Sequence, residues 1–147
     1  MSWQTLLASG RIKRHATSAR EIADLRDIVE RDLNDAHVEM ISADRRFATA
    51  YNAVLQLATM VIACSGYRVT GLGHHQTTFE AVELAMGPSI IKLAAYFDVC
   101  RRKRNQVDYD FALVASDSEL EELLARAAEF RELVEKWIRH HHRQYSS

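Results

Sequence analysis

The chain has 147 residues, 48% of them hydrophobic and 27% charged, with a formal net charge of −1. One domain with a core large enough to need no disulfide or metal staple is the simplest reading, here spanning 1–147. Five Gly and one Pro are too few for a sheet protein rich in tight turns, and the charge excludes the global basic field of many nucleic-acid binders.

Residues 1–17 read as an N-terminal extension or a short helix, running from Trp3 to about Ile12 and ending near Gly10. Arg11, Lys13, Arg14 and His15 follow as a basic connector. Ser18-Ala19-Arg20-Glu21 fits a capping box, in which a Ser hydroxyl and a Glu carboxylate satisfy the orphan amides of a helix start. Ile22, Leu25, Ile28, Val29 and Leu33 then share one helical face, opposite Arg20, Asp24, Asp27, Arg31 and Asp35. A helix is predicted from about Ser18 to Val38.

Ser42 or Asp44 caps the next helix. Phe47, Tyr51, Val54, Leu55, Ala58, Val61 and Ile62 recur at helical spacing, and Ala48 to Cys64 contains no charged residue. A helix apolar nearly all round must be surrounded by others, so this is the expected central helix, with Gly66 as its stop.

Arg68 to Gln76 reads as a loop holding Gly71, Gly73, His74 and His75. Thr77-Thr78-Phe79-Glu80 fits a second capping box, opening a short helix to about Met86 that Gly87-Pro88 breaks. Ser89 is the expected cap of a helix with Ile90, Leu93, Ala94, Phe97 and Cys100 inward, running into Arg101-Arg102-Lys103-Arg104-Asn105. Ser116 or Ser118 begins the last helix. Its acidic start and basic end suit the helix dipole, and Leu120, Leu123, Leu124, Ala127, Phe130, Val134, Trp137 and Ile138 form its stripe. Residues 140–147 are expected to fray. No stretch longer than a few residues alternates as a strand does. The fold predicted is all-α, an up-and-down bundle of four to five helices.

No run approaches the roughly 18–20 uncharged apolar residues of a membrane span. The longest, Ala53 to Cys64, contains Gln56 and Thr59. The N-terminus lacks the pattern of a signal peptide, and Cys64 and Cys100 stand alone, so a reduced cytoplasmic setting is expected. No metal-ligand or phosphate-loop pattern is present, and the consecutive His140, His141 and His142 cannot all face one ion. No cofactor and no metal is expected.

The strongest local charge is the run Arg101, Arg102, Lys103, Arg104. On a continuing helix Arg101, Arg104, Asn105 and Asp108 share a face. One reading is an exposed helix end with Arg104 paired to Asp108. The other is phosphate contact, for which the planar, always-charged guanidinium is suited.

Tyr51-Asn52-Ala53 on the central helix resembles the aromatic–x–Ala signature of HEPN domains. Gly73-His74-His75-Gln76-Thr77-Thr78-Phe79-Glu80 is similar to that family's loop before a short helix, and Arg104-Asn105-Gln106-Val107-Asp108-Tyr109 to its Arg-x-x-x-Asp-Tyr variant. The resemblance spans roughly Ser18 to Trp137. It implies a helical bundle that forms a homodimer, binds RNA and serves bacterial toxin–antitoxin or phage-defence systems. It further implies a metal-independent ribonuclease site in which Arg stabilises phosphate and a His moves the proton. Arg104 and Asn105 match the family's Arg and polar positions. The His is missing: Tyr109 stands where it would fall, and a phenol near pKa 10 is a poor base.

The resemblance therefore implies catalytic candidates Arg104, Asn105 and Tyr109. The RNA contacts would be Arg101, Arg102, Lys103 and Arg104, with Asp108, His74 and His75 in support. In some relatives a nucleotidyltransferase antitoxin modifies a Tyr two positions after the His. That position is Phe111 here, leaving Tyr109 as a displaced candidate. The leading expectation is an RNA-associated, degenerate ribonuclease. The alternative is a non-catalytic interaction module paired with a nucleotidyltransferase-type partner.

Overall fold

The computed structural model describes residues 1–71, 74–108 and 114–147, with backbone alone for 106–108. The helices are α1 (Trp3–Ala8), α2 (Ala19–Ala36), α3 (Ala43–Cys64), α4 (His74–Met86), α5 (Ile91–Asp108) and α6 (Asp117–His141). Two short strands, β1 (Ile12–Arg14) and β2 (Tyr67–Val69), pair antiparallel. The architecture is the expected all-α bundle with this small sheet added.

Helix α3 is its axis. Twelve of its 22 residues are buried, Phe47, Tyr51, Val54 and Leu57 among them. By length and composition alone α3 could cross a membrane, but 67% of its most apolar stretch is covered by the rest of the chain. Its packing partners are α2, α4, α5 and α6. Ser42, not Asp44, caps it: Ser42 Oγ accepts from the Arg45 amide at 3.3 Å. Asp44 instead ties α3 to the start of α6, accepting from the Ala115 amide at 2.7 Å. At the other end Gly66 adopts φ +94°, the left-handed turn that ends the helix and sends the chain into β2.

Several starts differ from expectation. The connector after α1 is a strand, because Ile12 is an apolar residue that β2 lets the chain bury. Ser18 caps α2 through the Glu21 amide at 3.1 Å, but the Glu21 carboxylate turns to His15 and Thr17 instead of completing the box. Tyr67–Val69 leaves the expected loop to join the sheet, and His74 and His75 lie in the first turn of α4. Thr77 and Thr78 are therefore inside that helix. Thr77 Oγ1 accepts from Arg11 Nε at 3.0 Å, and the Thr78 hydroxyl donates to the His74 carbonyl at 2.9 Å. Arg11 also pairs with Glu80, so the residues read as a cap anchor α4 to the N-terminal segment. Ser89 sits within a 3-10 turn, Pro88–Ile90, that precedes α5.

The inward stripes follow their sequence periods. Ile90, Leu93, Ala94, Phe97 and Cys100 are buried, as are Leu120, Leu123, Ala127, Phe130, Val134 and Ile138. Ser116 and Glu119 make the one full capping box among the described residues. After α6, residues 143–145 form a 3-10 turn and Arg26 of α2 donates to the Tyr145 carbonyl. The segment read as a fraying tail thus returns to α2.

Candidate nucleic-acid interface

The basic run occupies the C-terminal part of α5. Asp98 lies one turn earlier, at the i−3 and i−4 spacings that let helix side chains meet. Arg101 Nε donates to Asp98 Oδ1 at 2.9 Å and Arg102 Nη2 to Oδ2 at 3.1 Å. Burial raises the Asp98 pKa, but the hydrogen bonds and charges of the two arginines outweigh it, and the carboxyl stays below its ordinary value. Two guanidinium groups on one carboxylate leave one positive charge uncompensated.

Lys103 points elsewhere. Its Nζ is 2.8 Å from Glu119 Oε2 and donates to the Val114 carbonyl at 2.9 Å. The Lys103 hydrogen bond and the Ser116 amide bring the Glu119 pKa down to about 2. Arg104 and Asn105 are half-buried. The side chain of Asp108, and with it the expected Arg104–Asp108 pair, lies outside the described residues, as do Tyr109 and Phe111.

Arg104 acts on the central helix. Tyr51 is fully buried, and its hydroxyl has no hydrogen-bond partner among the described residues. Burial holds the phenol far above its ordinary pKa, against the opposing charges of Arg101 and Arg104. The His75 ring stands 6.0 Å from the Tyr51 ring, between centroids. Tyr51 therefore has a histidine from α4 on one side and the field of two arginines from α5. His74 does not join this group. Its ring contacts His75 at 5.8 Å, but it lines a separate cavity with His15 and Glu21.

Between α4 and α5 runs an open groove of about 410 Å³. Arg101, Arg102 and Asp98 line one wall, with Gln76, Glu80 and Glu83 on the other. Glu80 is engaged by Arg11. Burial, helped by the Glu80 charge, raises the Glu83 pKa. The groove thus has a lining of mixed charge, with the two arginines of α5 facing the carboxylates of α4. Among the described residues no group of three or more His, Cys, Asp or Glu is placed to hold a metal.

Sequence reasoning missed Asp32. It is 5% exposed, accepts from Asn52 Nδ2 at 2.6 Å and pairs with Arg31 at 3.0 Å. The signal was present: Asp32 follows Val29 by three residues, on the apolar stripe of α2. Its bond explains the polar member of Tyr51-Asn52-Ala53, whose outer members are both fully buried.

No curated protein and no solved structure is significantly similar to this chain. The family model for SAV_6107-like HEPN domains matches residues 37–135. That span runs from the end of α2 through α3, β2, α4 and α5 and into α6. The match covers most of the chain, includes the central helix and the basic end of α5, and shows that this protein belongs to the HEPN family.

Proposed function

We propose that this HEPN domain contacts RNA through the C-terminal part of α5. The observation that carries the reading is the sharing of Asp98 by Arg101 and Arg102 beside an open groove. The uncompensated guanidinium charge is available to a phosphate, which arginine binds in bidentate fashion. In this reading the protein is a bacterial, cytoplasmic homodimer of toxin or defence type. Arg104 and Asn105 stand where a degenerate, metal-independent ribonuclease centre would be built across the dimer, with His75 the nearest described histidine to Tyr51.

Fluorescence anisotropy with structured and unstructured RNA at several salt concentrations tests it. Replacing both Arg101 and Arg102 by Ala is expected to weaken binding about tenfold or more at low salt. The slope of log affinity against log salt should also fall by about 1.4–1.8. Absence of RNA binding at low salt overturns the reading. Cleavage that survives Arg104→Ala overturns its ribonuclease part.

A second reading rests on a different observation. Lys103 is already held by Glu119, and Ile91 and Val99 on α5 are 49% and 57% exposed. In this reading a nucleotidyltransferase-type protein, bound by a non-catalytic module, would cover these side chains. The intact mass after co-expression with such a partner tests for a modified Tyr109. An unmodified mass counts against that pairing.

A further inference from the structure

The N-terminal segment reaches the α4–α5 groove through one side chain. Trp3 of α1 stacks on Tyr67 of β2, with ring centroids 4.6 Å apart and 14° between the planes. Leu6 and Ile12 are buried on either side of Arg11 in the chain. The Arg11 backbone is fixed between them. Its amide donates to the Leu6 carbonyl at 3.1 Å, and its carbonyl accepts from the Thr70 amide at 2.8 Å. From this ordered backbone the side chain extends to α4. Nε donates to Thr77 Oγ1 at 3.0 Å, and Nη2 pairs with the Glu80 carboxylate. The two paired side chains are 31% and 28% exposed, so solvent screens them only in part.

Glu80 belongs to the groove wall. Among the described residues the charged groups that line the groove are Glu80, Glu83, Asp98, Arg101 and Arg102. Three carboxylates stand against two guanidinium groups, which leaves one negative charge in excess beside the arginines of α5. The crowding of negative charge shows at Glu83, whose carboxyl is held above its ordinary value by burial and by the charge of Glu80. Arg11 is not part of the lining, yet by pairing with Glu80 it cancels the excess.

We infer that Arg11 is a positioning residue for phosphate binding in the α4–α5 groove, acting through Glu80 and not by touching the nucleic acid. The inference rests on the reading of α5 as an RNA contact. A phosphate beside Arg101 and Arg102 meets Glu80 as a repelling charge without Arg11, and as half of a neutral pair with it. Arg11 precedes the stretch 37–135 that matches the HEPN model, so this neutralisation comes from the chain's own N-terminal segment and not from the matched core.

Fluorescence anisotropy on the full chain, with one structured and one unstructured RNA, tests it as a double-mutant cycle on Arg11 and Glu80. Arg11→Gln is expected to weaken binding about three- to tenfold at low salt, because it uncovers the Glu80 charge. Glu80→Gln breaks the same ion pair, yet it should bind at least as tightly as the wild type. The double variant should bind within about twofold of Glu80→Gln. Arg11→Lys keeps the charge and should retain most of the affinity. Both single variants lose the same pair, so a merely structural role would weaken binding in both. Equal weakening by Glu80→Gln and Arg11→Gln therefore overturns the inference. A loss from Arg11→Gln that persists in the Glu80→Gln background also overturns it, because Arg11 would then touch phosphate directly. So does an Arg11→Gln variant that binds as the wild type does. In each of these outcomes the wild type still binds RNA, and the reading of α5 stands. A wild type that binds no RNA overturns that reading and this inference together.

Discussion

The cations of α5 and those of the small sheet are similar in number and opposite in circumstance. Arg101 and Arg102 share Asp98, and Lys103 rests on Glu119. Lys13 and Arg68 face each other across the strand pair, and the charge of Arg68 acts on the Glu21 carboxylate that His15 and Thr17 already hold. The run along α5 is the conspicuous one in the sequence, yet part of its charge is taken up inside the fold by Asp98 and Glu119. The sheet pair is inconspicuous in the sequence, and among the described residues neither of its cations makes a direct ion pair. The capacity of a basic cluster for an anion depends on what already neutralises it, and that is a property of the tertiary structure.

The largest expected effect comes from a fully engaged cation. Arg26 donates to Glu135 from Nε and Nη2 at 2.8–3.1 Å, and both side chains are mostly buried. Arg26→Ala leaves Glu135 without its partner and releases the Tyr145 carbonyl. A loss of about 3 kcal/mol in urea denaturation is expected. A loss no larger than that of a surface pair would show that the two classes of cation are energetically alike.

Tyr51→Phe probes the point where the charges of α5 reach the core. The hydroxyl is buried without a partner among the described residues, and its removal is expected to stabilise the fold by about 1 kcal/mol. Thermal and chemical denaturation read this directly. Destabilisation would mean that the phenol is bonded and that α5 is held by it.

Glu119→Gln separates charge from capping, because Gln keeps the capping-box bond to the Ser116 amide while losing the pair with Lys103. The folded carboxyl is depressed to about 2 from an ordinary 4.5. Its contribution is therefore complete above 4.5 and is lost as pH falls toward 2. Glu119 is partly exposed, so solvent screens the pair, and about 0.5–1 kcal/mol is expected at neutral pH. Denaturation across pH should show the wild type and the variant converging in acid. A difference that persists at pH 2 would place the effect in the cap.

The smallest effect is the most specific to the sheet. Lys13→Glu converts the opposed like charges into an opposite pair with Arg68. A gain of about 0.5 kcal/mol is expected in the same denaturation assay. No gain would show that Lys13 and Arg68 are too well solvated to repel, and would weaken the contrast with α5.

Much of the fold was legible because helix periodicity is a local signal. The stripes of α2, α3, α5 and α6 could be read from residue spacing, as could the stop at Gly66, while spacing alone admitted either Ser116 or Ser118 as the cap of α6. The misreadings came from residues whose partners are distant in sequence. Thr77 and Glu80 look like a helix cap until Arg11 is found beside them, and Glu21 looks like the end of a capping box until His15 takes it. Of the candidate residues, Arg101, Arg102, Lys103 and Arg104 could be placed on one helix from sequence, but not their division among Asp98, Glu119 and Tyr51. His74 and His75 are adjacent in the chain and serve different surroundings, one at the sheet cavity and one beside Tyr51.

The sequence by itself determined that the chain is helical, that 43–64 is its centre, and that it resembles the family to which its domain belongs. Burial of a periodic apolar face is dictated by spacing within each helix, so those conclusions needed no partner. Only the tertiary structure decided that β1 and β2 pair, that Asp32 is buried on Asn52, and that Lys13 meets Arg68. Each of those joins residues 20 or more positions apart, where the energy of the contact depends on geometry that no local pattern specifies.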